Sequence, residues 1–222
     1  MNETPRMDTQ TRALWATFAI FLLMTGIFVW GTMYRRMHTF RVGARPIQQQ
    51  VVQPPSLPVI RPSDPRMGST DPSAVELVQF ADYRCTHCRS MQPIIATLLA
   101  DPALKLRVIW REAPTQDQTR ENLLPFIAAR CAHQQGKFSR LHTALFTSDV
   151  YTQPAILALA QQAQLDTRRF EACLTNESIA EAVRNDQAAA LVSNIQSSPT
   201  FFVRGKPFVG QHTEAELRAI LK

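Results

Sequence analysis

From Ala13 to Tyr34 the chain runs for 22 residues, ALWATFAIFLLMTGIFVWGTMY, without a charged side chain. As a helix rising ~1.5 Å per residue, this run spans the ~30 Å hydrocarbon core of a bilayer. Arg12 fences one end and Arg35-Arg36 the other. Trp15, Trp30 and Tyr34 lie near the ends, where amphipathic rings settle at a membrane interface. No apolar face alternates with a polar one, which argues against a surface helix of a globular domain. A cleaved signal peptide has a shorter apolar region, ~7–15 residues, followed by a small-x-small site. The sequence VWGTMYRR offers no such site. The reading is a single-pass anchor over 13–34, preceded by a short tail over 1–12.

The chain has 222 residues and a net charge of +6. Residues 1–45 hold six arginines against two acids, a balance of +4. Residues 46–222 hold 18 Lys plus Arg against 16 acids, a balance of +2. The excess therefore flanks the apolar run, where anionic head groups attract it. The remainder shows no basic stripe, and no nucleic-acid partner is assigned.

Residues 35–72 read as a linker, first basic and then rich in proline, with seven prolines between Pro46 and Pro72. Such segments favour extended polyproline II and act as semi-rigid spacers, although part of this one could pack as an arm. The domain is expected over 73–222. AVELVQF (74–80) reads as a strand and LKLRVIW (104–110) as a second. Between them, CRSMQPIIATLLA has helical spacing, interrupted by Pro93. A helical block follows over about 118–195, with segments at 118–134, 137–147, 154–163, 167–174 and 177–194. PTFFV and PFVG then form a hairpin around RGK, and Thr213 with Glu216 makes a capping box that opens a last helix. This order implies a mixed α/β sheet with helices on its faces and a helical insertion.

RCTHCR (84–89) holds Cys85 and Cys88 where the first strand meets the first helix of the domain. Haem attachment needs histidine directly after the second cysteine, and Arg89 stands there. Zinc needs about four ligands; Cys131 and His133 would have to complete the set, and two arginines beside the pair oppose a dication. No metal and no cofactor is assigned. A redox pair fits the place. At a helix N-terminus Cys85 meets unpaired backbone N–H groups and the positive end of the helix dipole, both of which stabilise a thiolate. Cys88 follows one turn later, a separation compatible with a disulfide. Thr86 and His87 between them are candidates for tuning the thiolate.

The stretch VELVQFADYRCTHCRSMQP resembles the active-site region of thioredoxin-fold thiol–disulfide oxidoreductases, and it is most similar to their DsbA-like branch. Pro93 matches the kink proline of the active-site helix. SSPTFFVRGKPFVG resembles the stretch holding the cis-proline, with Pro199 as that proline and Ser198 before it. ARCAHQQGKFSRLHTALF looks like the start of the branch's helical insertion. The resemblance covers roughly 74–222. It implies a thioredoxin fold with an inserted helical domain, Cys85 as nucleophile, Cys88 as buried partner, and a substrate groove lined by Ser198 and Pro199. It also implies protein substrates carrying thiols or disulfides, and a DsbB-like or DsbD-like redox partner in the membrane. Two departures stand out: Thr86 occupies the place of the motif's proline, and Gln79 that of a buried acid six residues before the first cysteine. Asp82, or less readily Glu76, could stand in for that acid, but the reading adopted for each is a surface charge.

Cys131 and Cys173, in the helical block, could pair or could pack as free thiols; the resemblance favours a structural disulfide. His133 and His142 read as surface or packing residues. The count of arginines near the apolar run, two before it and four after, places the domain in the cytoplasm. The resemblance and the second cysteine pair point to an oxidising space, and the reading adopted is an inner-membrane anchor with the domain in the periplasm. The expected function is disulfide exchange in exported or envelope proteins. The alternatives are a reductase or isomerase fed by a membrane electron donor, and a C-x-x-C module for copper or for assembly.

Overall fold

The computed structural model describes residues 9–39, 54–115 and 119–222. The chain divides into two units, Met1–Val51 and Val52–Lys222. In the first, helix α1 runs from Thr9 to Thr39. It extends past the expected 13–34 on both sides, since neither flank carries a helix breaker. Its stretch Leu14–Arg36 is long and apolar enough to cross a membrane by length and composition. Large apolar side chains such as Phe18, Leu22, Phe28 and Trp30 are exposed. The hydroxyls of Thr17, Thr25 and Thr32 donate to backbone carbonyls three or four residues back, which satisfies them within the helix.

The second unit is built on strands β1 (Arg66–Gly68), β2 (Val75–Ala81), β3 (Leu106–Glu112), β4 (Thr200–Val203) and β5 (Lys206–Val209). They form one sheet in the order β1-β3-β2-β4-β5. Strands β2 and β3 run parallel; the other pairs are antiparallel. The parallel pair needs a crossover, and helix α2 (Thr86–Ala100) supplies it. Five helices, α3 (Arg120–Gln134), α4 (Phe138–Thr147), α5 (Gln153–Gln162), α6 (Thr167–Leu174) and α7 (Glu177–Val192), sit between β3 and β4, as the expected insertion over about 118–195. Helix α8 (Glu214–Leu221) closes the chain, opened by the Thr213–Glu216 capping box. The hairpin turns tightly at Arg204 and Gly205, both at positive φ, the pairing a two-residue turn of this twist requires.

Period-two alternation divides the sheet. Leu77, Val108 and Phe201 pack with Met91, Ile95 and Leu98 of α2 and Leu217 of α8. Val78, Phe80, Ile109 and Phe202 face the other way, towards Ala190 of α7 and Ile195. A third cluster fills the insertion and joins Tyr83 and Trp110 to Phe126, Leu141 and Phe146.

The domain begins before the expected Ser73. Strand β1 is hydrogen-bonded to β3, Ser56 N–H donates to Ser193 O at 2.9 Å, and Leu57 and Ile60 pack on the Val78–Phe80–Phe202 face. The proline-rich stretch from residue 54 is thus a strap on the sheet, because its few apolar side chains find an uncovered face there. The rest of the expected linker, 40–53, lies outside the described residues.

Under the strap lies a buried ion network. Arg111 Nε and Nη2 donate to Asp186 at 2.9 and 2.8 Å. Arg130 Nη2 reaches Asp186 at 2.7 Å and Glu112 at 2.6 Å. Asp64 accepts the backbone N–H of Arg61 at 2.7 Å and lies 3.7 Å from Arg111. Asp64, Glu112 and Asp186 are fully buried. Strap, β3, α3 and α7 are thereby tied through charges that must stay paired once out of water.

Candidate active site

Cys85 is the N-cap of α2, and its sulfur accepts the backbone N–H of Cys88 at 3.2 Å. It is half-buried, whereas Cys88, one turn on, is fully buried. The loop before β4 comes up against both. As a thiol, Cys85 donates to Ser198 O at 3.4 Å, and Cys88 Sγ lies 3.1 Å from Ser198 Oγ. The Ser198–Pro199 peptide is cis. The two motifs, 110 residues apart in sequence, meet at one serine.

The two thiols are electrostatically unlike. A hydrogen bond from the Cys88 thiol, aided by the backbone N–H groups of Cys88 and His87, lowers the Cys85 pKa to about 6. Burial and the charge of Asp82 act against this shift. Cys88 is pushed up, first because its proton is held by the Cys85 sulfur and then by burial. The arrangement sets a half-buried sulfur that ionises readily in front of a buried one that holds its proton.

The imidazole of His87 and the side chain of Thr86 are exposed. What His87 brings to the sulfur is its backbone N–H. The two flanking arginines are engaged with the insertion. Arg84 Nη1 donates to Asn122 O at 2.7 Å, and its guanidinium lies 4.9 Å from the centre of the Tyr151 ring. Arg89 Nη1 donates to Asp149 at 2.6 Å and Nη2 to Ser148 O at 2.9 Å. They hold the helical block against the motif.

Asp82 corrects the reading of a surface charge: it is fully buried. Its Oδ1 accepts Arg84 N–H at 2.8 Å, and its Oδ2 accepts both the N–H and the hydroxyl of Thr115 at 2.8 Å. It joins the turn before Cys85 to the segment after β3. Glu76 is exposed and pairs with Arg107 at 3.2 Å. Gln79 is fully buried, and among the described residues its amide has no hydrogen-bond partner.

Cys131 and Cys173 form a disulfide joining α3 to α6, with Cα atoms 5.8 Å apart. Cys131 is thus unavailable as the zinc ligand weighed above. His142 is buried, packs against Phe138, Phe146 and Trp110, and places Nδ1 2.9 Å from the Tyr83 hydroxyl. Burial lowers its pKa to about 3, so it is a neutral packing residue. Among the described residues, no three His, Cys, Asp or Glu side chains are grouped as a metal site.

A paired thiol at a strand–helix junction, facing a cis-proline loop in a sheet of this order, defines the class: a thiol–disulfide oxidoreductase of the thioredoxin superfamily. A thioredoxin family model matches residues 61–222, and the chain belongs to that family. The chain is similar to a thioredoxin-like oxidoreductase from Silicibacter pomeroyi, at 25% identity and TM-score 0.63, over 72% of this chain and 91% of that one. The thiol–disulfide exchange protein alpha-DsbA2 from Wolbachia pipientis shares the fold, at 22% identity and TM-score 0.64, over 72% of this chain and 86% of that one. A curated relative, Na(+)/H(+) antiporter NhaA 3 from Salinispora tropica, is 32% identical over 146 residues, 65% of this chain and 22% of that protein. The chain spans less than a third of the length of the curated relatives it matches.

Proposed function

We propose that this chain is a membrane-anchored enzyme that exchanges disulfides in exported or envelope proteins, with Cys85 attacking and Cys88 resolving. The observation that carries the reading is the asymmetry of the pair: an accessible sulfur with a lowered pKa beside a buried one with a raised pKa. The Cys85 thiolate attacks a substrate disulfide; a Cys85–substrate bond forms, the substrate S–S bond breaks, and the leaving thiolate takes a proton. Cys88 gives up its proton and attacks Cys85, and the second substrate thiol departs. The enzyme pair is oxidised by two electrons and the substrate reduced by two. With an oxidised enzyme and a reduced substrate the same steps run in reverse. Ser198 and Pro199 line the groove for the substrate chain.

Support for the setting comes from elsewhere in the chain. The Leu14–Arg36 stretch supports anchoring, and the Cys131–Cys173 disulfide supports an oxidising compartment, hence the periplasmic side of an inner membrane. The antiporter names of curated relatives support a membrane setting for domains of this kind; transport is not carried over. A DsbB-like partner would reoxidise the pair, and a DsbD-like partner would reduce it.

The test is the reduction potential of the Cys85–Cys88 pair in the full chain, in detergent micelles equilibrated with glutathione buffers. Stabilising the thiolate stabilises the reduced form, so a value above the roughly −270 mV of thioredoxin, shifted towards the roughly −120 mV of DsbA, is expected. A pair that never forms a reversible disulfide sinks the reading.

A further inference from the structure

Among the described residues four acidic side chains are fully buried: Asp64, Asp82, Glu112 and Asp186. Three of them meet arginine. Asp64 lies 3.3 Å from Arg61, Glu112 2.6 Å from Arg130, and Asp186 2.8 Å from Arg111 and 2.7 Å from Arg130. Asp82 differs. Among the described residues its carboxylate accepts only from uncharged donors: the backbone N–H of Arg84, and the N–H and hydroxyl of Thr115. A charge held out of water with no counter-charge is costly, and its field is weakly screened. This one stands three residues before the accessible sulfur.

The same residue meets both cysteines through its backbone. Its carbonyl accepts the Cys85 N–H at 3.2 Å, and its N–H reaches the Cys88 sulfur. The bond from Arg84 N–H to the carboxylate closes an Asx turn that leads into α2, and Thr115 fixes the other carboxylate oxygen. Other charges about the motif are placed differently. His87 and Glu121, at the start of α3, are exposed. Arg89 pairs with Asp149 after α4, and the Arg84 guanidinium is held by the Asn122 carbonyl and the Tyr151 ring. Glu112, at the end of β3, is matched by Arg130. The loop before β4 brings Ser198, which carries no charge. A negative charge beside a thiol disfavours its thiolate, and that of Asp82 acts to raise the Cys85 pKa.

We propose that Asp82 is a positioning residue that sets the strength of the redox pair: held by Thr115, it fixes the backbone that meets both cysteines, and its uncompensated charge restrains ionisation of Cys85. The inference rests on the proposed exchange function. Less thiolate means a less stabilised reduced form, so Asp82 makes the pair a weaker oxidant than the start of α2 alone would make it.

The experiment uses the full chain in detergent micelles. Asp82→Asn keeps an oxygen acceptor for the Arg84 N–H and removes the charge. Asp82→Glu keeps the charge, and Thr115→Val removes one bond to the carboxylate while leaving the charge in place. The midpoint of Cys85 alkylation against pH is read, together with the equilibrium between the pair and glutathione at pH 7. For Asp82→Asn the midpoint is expected to fall by about half a pH unit. Cys85 being mostly ionised at pH 7, the reduced pair should then gain about threefold in that equilibrium, roughly 14 mV at ~29.6 mV per tenfold. In Asp82→Glu and Thr115→Val the midpoint is expected not to fall. Asp82→Ser, whose hydroxyl also closes such a turn, repeats the reading should Asp82→Asn not fold. A midpoint that stays or rises in the uncharged variant, or that falls equally in Asp82→Glu or Thr115→Val, would overturn the inference while leaving the exchange function standing. Failure of both uncharged variants to fold would overturn it too, in favour of a structural role alone. A wild-type pair that forms no reversible disulfide would overturn the exchange function and the inference with it.

Discussion

The hydroxyl of Ser198 lies 3.1 Å from the buried sulfur of Cys88, while the carbonyl of the same residue lies 3.4 Å from Cys85. One residue in the loop before β4 touches both cysteines of the motif. Its hydrogen bond acts to lower the pKa of Cys88, against the two larger influences that raise it. The Ser198 hydroxyl is therefore placed to favour loss of the proton from the buried thiol.

Ser198→Ala is expected to slow resolution roughly threefold to tenfold while leaving the first attack by Cys85 nearly unchanged, since about one hydrogen bond's worth of stabilisation is lost at one step. Acid quenching followed by counting the trapped enzyme–substrate species checks this. An unchanged lifetime of the mixed disulfide would falsify the role.

The pH dependence follows from the same pair. The Cys85 pKa is about 6 in the folded protein, below the ordinary thiol value of about 8.5. A lowered pKa means that the stabilisation appears as pH rises through about 6 and is complete near 8.5; it is lost as pH falls. The oxidised form has no such thiol. The melting temperature of the reduced form, relative to the oxidised form, should climb between pH 5 and 8. Above the ordinary thiol value the raised pKa of Cys88 acts oppositely, and the gain should level off or reverse. Alkylation of Cys85 should show its midpoint near pH 6.

Asp186 accepts from Arg111 and Arg130 under the strap and is fully buried. Asp186→Ala leaves both guanidinium groups without that carboxylate, and a loss of about 3–5 kcal/mol is expected. Urea unfolding reads it as a lower midpoint. A loss below about 1 kcal/mol would mean that Glu112 and Asp64 suffice to balance the arginines.

Gln79 presents the opposite case. Its buried amide has no partner among the described residues, so Gln79→Leu removes an unsatisfied group and keeps the volume. The variant should be neutral or more stable by about 1 kcal/mol, checked by thermal melting. Marked destabilisation would show that the amide is satisfied in solution and that its partner matters.

Much of this site could be read along the chain because its signals are local. Cys-x-x-Cys after a β-branched run announces a strand–helix junction, and the capping box at Thr213 and Glu216 announces α8. The five helices of the insertion follow from their apolar spacing and punctuation. Other features are not local. The strap looked like a spacer because seven prolines in 27 residues rarely pack; only the open sheet face beside α7 gives Leu57 and Ile60 somewhere to go. Asp82 looked like a surface charge because nothing nearby in sequence hints at Thr115 33 residues later.

The sequence by itself determined the apolar segment, the order of strands and helices from β2 onward, and which two cysteines stand at a helix start, since each depends on the spacing of neighbouring residues. Tertiary structure alone decided that Ser198 meets both sulfurs, that Asp64, Arg111, Glu112, Arg130 and Asp186 gather from four segments beneath the strap, and that Asp82 ties the turn before Cys85 to the segment after β3. The reason is physical: burial and pairing are properties of surfaces brought together by the folded sheet, and no window of consecutive residues contains both partners.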